Sequence, residues 1–585
     1  MISSAGTGNT VNLVILATSD LHGNLWGYRY EDGADTANDG MARVASYVQE
    51  VRQSGAAVIL IDNGDVFQGN ILTDDVYNKR LDIVHPVSVA MNAMGYAAMT
   101  LGNHDFNFGL GLIDKFSKEL NCPVLAANAW YRSGERFAQP YSIIEVQGIK
   151  VAVIGLTNPN VPRWDGDKVS ALRFEAMPET ARSLSAELKA GKKADIIVIS
   201  AHAGMVAEFD EEGGSDSAEH IARLVPEADV LMVGHMHITV KERFGDTVIG
   251  GPRDRGREVV RFDLEVQLDG DQPRVVGREV SIIDMGGWEP DPAIRSIVSE
   301  AHEATLRFIE QGGRANSSGE GGRVAEAAAD FQPRDEISGV PEGRLRPTAV
   351  ITLIQKVLLQ ASGADVAATS LFSDKADLRK GPLTYANVFS IYPFDNLLYV
   401  VTVTGKELKT YMEISAAHYN QWKPGDLSVS FNPEVPAYLY DMFAGIHYRI
   451  DLSQPSGKRI KDVVYNGQPL ADNEPLQLAV NNYRYSSLLK ASRLVRATKH
   501  WESPQSIRDL IVDYIRERQT ISPETDDNWS IAGINLSSPY RDEAIRLVNE
   551  GKLERPTHKS LNVKELQAGG WISLSPLNKP SDRRI

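Results

Sequence analysis

The sequence predicts an α/β protein built from two domains of unequal size. Three observations point there. At 585 residues the chain exceeds what one hydrophobic core usually serves. Its first half alternates strand-sized apolar runs with stretches of helical spacing. Around residues 291–346 that alternation gives way to a polar segment rich in Gly, Ser and Pro.

In chain order, Val11–Ala17 is apolar apart from Asn12 and predicts a buried strand. Met41–Gln53 has helical spacing. Val58–Ile61 predicts a second strand, and Tyr96–Leu101 a weaker third. Ile149–Thr157, Ile196–Ser200 and Val230–Val233 predict three more. Asp291–Gln311 has the pattern of a polar amphipathic helix. Gly312–Gly322 has the composition of a flexible connector. The domain junction is placed here, with one domain over 1–290, a linker over 291–346 and a second domain over 347–585. In the second half, Thr348–Ala361 and Ser506–Arg518 predict helices, and Leu398–Val403 and Leu476–Val480 predict strands. Lys579–Ile585 is mostly polar and is expected to be loose.

Composition excludes several classes. A hydrophobic share of 42% and a charged share of 24% are ordinary for a soluble globular chain. No apolar run approaches the ~18 residues of a membrane span. A net charge of −16 disfavours long nucleic acid as a partner. A small phosphorylated substrate stays compatible, because a bound metal can supply local positive charge. The single cysteine, Cys122, excludes an intrachain disulfide. Met1–Gly8 lacks the basic and apolar regions of a signal peptide. Nothing in the sequence specifies an oligomeric state.

Five polar clusters follow five of the strand candidates. They contain Asp20 and His22; Asp65; Asn103 and His104; His202; and His235 and His237. In open α/β sheets, ligands bind beyond the carboxyl ends of the strands, so clusters far apart in sequence can converge there. Asp20-x-His22 and His235-x-His237 are expected to point paired side chains to one side of an extended segment. Imidazoles mixed with carboxylate and amide oxygens suit Zn, Mn, Fe or Co better than Ca or Mg. Two metals ~3.5–4 Å apart need a bridging group, and Asp65 is the natural candidate. Five of the twelve histidines fall in these clusters. The other seven, at 85, 220, 302, 418, 447, 500 and 558, are read as structural.

The clusters Asp20-Leu21-His22-Gly23-Asn24, Gly64-Asp65, Gly102-Asn103-His104-Asp105, Ala201-His202 and Gly234-His235-Met236-His237 resemble the calcineurin-like metallophosphoesterase signature. Tyr392-Pro393-Phe394-Asp395-Asn396 and Asn481-Asn482-Tyr483-Arg484 resemble substrate segments of the 5′-nucleotidase C-terminal domain. Asn103-His104-Asp105-Phe106-Asn107, His85-Pro86-Val87, His302–Arg307 and Asp451–Pro455 are similar to segments of the bacterial 2′,3′-cyclic-nucleotide 2′-phosphodiesterase/3′-nucleotidases.

This resemblance implies an N-terminal four-layer αββα metallophosphoesterase domain and a smaller mixed α+β C-terminal domain that binds substrate. It implies two divalent metal ions. Asp20, His22, Asp65 and His237 would hold one; Asp65, Asn103, His202 and His235 would hold the other. His104 would be the catalytic histidine, with Asn103 beside it. Phe394 and Tyr483 would stack on a nucleobase, with Asn396 and Asn107 as further substrate contacts. The implied activity is hydrolysis of 2′,3′-cyclic nucleotides and 3′-nucleotides, in the periplasm or outside the cell. The alternatives are a 5′-nucleotidase or nucleotide-sugar hydrolase, and a surface binding protein with a dead phosphoesterase domain. The last is disfavoured because none of the seven metal ligands is missing. Asn107 stands where 5′-nucleotidases carry an Asp that orients the catalytic histidine. An amide or Asp105 is then left to orient His104.

Overall fold

The computed structural model describes residues 10–210, 213–268, 272–313, 322–495, 499–554 and 557–572. Most of the Gly312–Gly322 connector, and all of Met1–Gly8 and Lys579–Ile585, lie outside them. The chain divides into two compact units, Met1–Ile309 and Glu310–Ile585.

The first unit contains two six-stranded sheets. In one, Thr10–Thr18, Ala57–Asp62, Ala98–Thr100 and Val124–Leu125 run parallel. Glu258–Gln267 pairs antiparallel with Thr10–Thr18, and Arg274–Asp284 pairs antiparallel with Glu258–Gln267 at the sheet edge. In the other, Ile149–Leu156, Ile196–Ala201, Val230–Val233 and Thr247–Gly251 run parallel. Tyr141–Val146 and Val240–Phe244 close its two edges antiparallel.

The layering follows from the side chains. Leu13, Ile15, Ile59 and Ile61 of the first sheet share one core with Val151, Val153, Val198 and Met232 of the second. The opposite face of the second sheet buries Ile154, Ile197 and Leu231 against Met177, Leu184 and Leu188 of one helix and Ile221 of another. The helix Met41–Gln53 covers the outer face of the first sheet with Met41, Val44, Val48 and Val51. The order is helix, sheet, sheet, helix. Central strands buried on both faces are apolar over most of their length, which explains the apolar runs in the sequence. Each Leu or Ile so buried contributes roughly 1.5–3 kcal/mol relative to exposure.

Helix ends are marked locally. His85 caps Pro86–Met94 by accepting from the Val87 N–H, with Pro86 at the first turn and left-handed Gly95 at the end. Burial pushes the His85 imidazole down to about 3, so it stays neutral in this structural post. The helix Pro292–Glu310 carries His302, which stacks on Trp26 at 4.3 Å between centroids. Among the described residues, no helix is long and apolar enough to cross a membrane.

The second unit is mixed. A five-stranded sheet runs in the order Asp441–Ala444, Val366–Ser370, Pro475–Asn481, Leu397–Thr404, Trp501–Ser506. Thr404 and Glu407 form a capping box for the helix Gly405–Ala416. Ser506 caps Ile507–Arg518 by accepting from the Asp509 N–H at 3.2 Å. Leu398 pairs with Asn481 across two antiparallel strands. The segment before Leu397–Thr404 and the segment after Pro475–Asn481 therefore emerge side by side. They carry Phe394 and Tyr483.

Two glycines allow the loops of the first sheet to meet. Gly64 has φ +98°, and a Cβ there would lie 2.2 Å from the Gly102 backbone nitrogen. Gly102 faces Asp65, whose Oδ1 would lie 2.2 Å from an added Cβ. Gly64→Ala should therefore destabilise the first unit by at least about 2 kcal/mol. A thermal midpoint equal to that of the parent protein would contradict this close approach.

Candidate metal centre

The backbone fixes the candidate ligands before their side chains are considered. Beyond the strand ends, Asp20 N–H bonds Gly64 O at 2.8 Å, His22 N–H bonds Asp65 O at 2.9 Å, and Gly23 N–H bonds Val66 O at 2.9 Å. Asn63 ties the sheets together. Its N–H donates to Thr18 O at 2.8 Å, and its side-chain amide donates to Ala201 O at 3.2 Å. The Ser200 hydroxyl donates back to Asn63 Oδ1 at 2.6 Å.

Asp20, His22, Asp65, His235 and His237 all have positive φ, between 47° and 70°. Left-handed backbone is uncommon for residues other than glycine, and such strain clusters at functional sites. It also corrects the expected geometry of the two paired motifs. Neither Asp20-x-His22 nor His235-x-His237 lies in extended backbone. Asp20 and His22 still fall in one group, but His235 and His237 separate into two.

Those groups are Asp20, His22 and His237, and Asp65, His202 and His235. In each, one donor atom per residue lies within 4.8 Å of the others. Each carboxylate is half used by the protein. Asp20 Oδ2 accepts from Ser19 Oγ at 2.5 Å and from the His235 N–H at 3.1 Å. Asp65 Oδ1 accepts from the His104 N–H at 2.7 Å. Asp20 Oδ1, Asp65 Oδ2, Asn103 Oδ1 and His202 Nε2 are buried without a hydrogen-bond partner.

The imidazole tautomers sharpen this. His202 Nδ1 lies 2.7 Å from Asn63 O and must donate to it, which turns Nε2 toward Asp65 Oδ2 at 3.1 Å and Asp20 Oδ1 at 3.8 Å. His22 Nδ1 donates to Gln68 O at 2.5 Å, leaving its Nε2 3.0 Å from His237 Nε2. A neutral His202 then turns a lone pair toward the Asp65 and Asp20 oxygens, whereas buried polar groups are normally paired. A cation between them resolves the conflict. The outer nitrogens held by backbone carbonyls are the usual support of a metal-binding histidine. The donor set therefore fits divalent metal.

Titration behaviour agrees. Burial alone would raise Asp20 and Asp65, but the facing imidazoles outweigh it and hold both carboxyls well below their ordinary value. Burial lowers His202, yet the carboxylates of Asp65 and Asp20 push it up to about 10. Burial and His237 push His22 down to about 3. The pocket favours positive charge at its centre and neutral imidazole at its edge.

His104 is half-buried, with its ring 5.5 Å from that of His22. Its Nδ1 lies 2.8 Å from Asn107 Oδ1. Asp105 does not orient it: the Asp105 oxygens accept from the backbone N–H groups of Gly102, Asp65 and Val66. The sequence groups Asn107 with the substrate contacts, but its amide is engaged by His104 on one side and Asp165 on the other. In the second unit, Phe394, Tyr483 and Asn396 are half-buried at neighbouring strand ends. Phe372 packs edge-on against Phe394 at 5.1 Å, a neighbour that the sequence reading lacks. Also new are Glu208, 3.0 Å from His235 Nε2, and Asp254, 3.8 Å from His237 Nδ1.

Comparison with known proteins places this geometry. Residues 13–239 match the calcineurin-like phosphoesterase model. Residues 325–488 match the 5′-nucleotidase C-terminal domain. The chain carries both a calcineurin-like phosphoesterase domain and a 5′-nucleotidase C-terminal domain. The phosphoesterase domain marks the chain as an enzyme, and with the two donor groups it implies divalent metal ions. The chain is 27% identical to the trifunctional nucleotide phosphoesterase protein YfkN of Bacillus subtilis over 93% of its own length, and spans 41% of that protein. It is 26% identical to the 2′,3′-cyclic-nucleotide 2′-phosphodiesterase/3′-nucleotidase of Yersinia enterocolitica, over 92% of this chain and 91% of that one. A crystal structure from Staphylococcus aureus described as a 5′-nucleotidase shares the fold with a TM-score of 0.75. That match covers 89% of this chain and 100% of the other at 23% identity.

Asp65→Asn removes the negative charge but leaves a residue that tolerates left-handed backbone. It should cost at least one metal ion per chain and about 100-fold or more in turnover, with the fold retained. Full metal content with full activity would remove Asp65 from the centre.

Proposed function

We propose that the chain hydrolyses phosphate esters of nucleotides, opening 2′,3′-cyclic nucleotides to 3′-nucleotides and cleaving 3′-nucleotides to nucleoside and phosphate. The observation that carries this reading is the set of buried, unpaired donor atoms on Asp20, Asp65, Asn103 and His202. The relatives described above support the nucleotide part.

In this reading Asp20, His22, Asp65 and His237 hold one ion. Asp65, Asn103, His202 and His235 would hold the other. Ions held there would supply Lewis acidity at the phosphoryl oxygens and would make an attacking water more acidic. Zn, Mn, Fe and Co all suit the donor set. His104 is the catalytic histidine: its Nδ1 is held by Asn107, so Nε2 is the nitrogen that meets the phosphoryl group or the leaving oxygen. Asn103 holds its amide beside the same phosphate. Phe394 and Tyr483 sandwich the base, Asn396 contributes a polar contact, and Phe372 supports Phe394 from behind. Stacking tolerates any base and contributes roughly 1–3 kcal/mol.

A 5′-nucleotidase is the second reading, favoured by the match of residues 325–488. Rates on 2′,3′-cyclic AMP, 3′-AMP and 5′-AMP separate the two. The first two substrates should exceed the third in kcat/KM by about tenfold or more, and a preference for 5′-AMP would overturn the assignment.

The base clamp makes a separate prediction. Phe394→Ala combined with Tyr483→Ala should raise KM for nucleotides by about tenfold, as expected for a lost stacking contact. Hydrolysis of bis(p-nitrophenyl) phosphate should hardly change. Equal losses on both substrates would argue against stacking.

A further inference from the structure

Among the described residues, no carboxylate bonds the His104 imidazole directly, yet one stands a single residue further out. His104 Nδ1 lies 2.8 Å from Asn107 Oδ1. Asn107 Nδ2 lies 3.0 and 3.1 Å from the two oxygens of Asp165. Asp165 ends the short helix Val161–Asp165, 58 residues away in sequence, and is 5% exposed. Lys168, on the following turn, lies 3.9 Å from Asp165 Oδ1 and donates to the Asn107 backbone carbonyl. We propose that Asp165 is a positioning residue for His104, acting through the Asn107 amide.

The chemistry of the three groups sets the direction of the chain. An ionised carboxylate only accepts hydrogen bonds, so it draws the NH2 end of Asn107. The amide oxygen then faces His104 and can only accept. His104 must therefore carry its proton on Nδ1, which leaves Nε2 for the substrate side. An amide alone could present either end, and a flipped Asn107 would impose the wrong tautomer. Asp165 removes that freedom. Burial raises its carboxyl above the ordinary value, while Lys168 and the Asn107 hydrogen bond oppose the rise. The alternative support, Asp105, is occupied by three backbone N–H groups. Hydrogen-bond partners of this outer kind are typically worth 10–100-fold.

This inference rests on the assignment of His104 as the catalytic histidine, and an exchange of the two outer residues tests it. Asp165→Asn in the metal-loaded full chain should lower kcat by about 10-fold or more, with KM and metal content unchanged. Exchanging the pair, Asn107→Asp with Asp165→Asn, rebuilds the chain with reversed order: Asp at 107 accepts from His104, and Asn at 165 donates to it. The exchanged pair should exceed both Asp165→Asn and Asn107→Ala by about tenfold in kcat. In a His104→Ala background, Asp165→Asn should have no further effect. Full activity of Asp165→Asn overturns the proposal, and so does an exchanged pair no better than the single variants. If Asp165→Asn alone does not fold, the exchanged pair against Asn107→Ala decides. The series is read on bis(p-nitrophenyl) phosphate as well as 3′-AMP. If the parent protein cleaves only the former, the nucleotide reading fails while the Asp165 test still reports.

Discussion

Asn63 holds together the two sheets on which the centre depends. Its backbone donates to the end of Thr10–Thr18, its amide reaches Ala201, and its carbonyl takes the outer nitrogen of His202. Each candidate metal group draws on both sheets. Asp20 and His22 come from one, and His237 follows a strand of the other. Asp65 comes from the first, while His202 and His235 follow strands of the second. A slip of one sheet against the other would part both groups at once. The shared apolar core resists gross separation, but hydrophobic contact has no direction. The polar ties through Asn63 and Ser200 set the register.

The second constraint is backbone strain. Five candidate ligands adopt left-handed φ, a conformation that costs of order 1–3 kcal/mol for each residue. Surrounding hydrogen bonds, such as Arg255 N–H to Asp20 O and His22 N–H to Asp65 O, hold them there. The same geometry leaves Asp20 Oδ1, Asp65 Oδ2 and His202 Nε2 bare and close together. Strain and an unpaired oxygen coincide at Asp20 and Asp65, and one positive charge relieves the electrostatic part.

Much of the fold was legible in the sequence. Strands buried on both faces leave apolar runs, and every strand named from the first half is present within a few residues. The candidate ligands were legible because His, Asp and Asn beside glycine at strand ends carry chemical identity. The supporting shell was not. Gln68 and Asn63 hold imidazoles through backbone carbonyls, which every residue type possesses. Asp165 reaches Asn107 from a short helix far along the chain, and no local pattern announces it. The family resemblance already divided His235 from His237, but the left-handed backbone that aims them apart was hidden, since the spacing alone suggested an extended segment. Phe372 follows the strand Val366–Ser370 and is indistinguishable in sequence from a core residue.

The sharing of each group between sheets has a consequence for timing. Synthesis releases Asp20, His22 and Asp65 long before His235 and His237. A nascent chain holding only the early donors offers an ion part of a coordination shell, so it competes poorly with other ligands in the cell. The full shell exists only once the sandwich has closed. Both donor groups are therefore complete only after His237 has been made and the two sheets have packed.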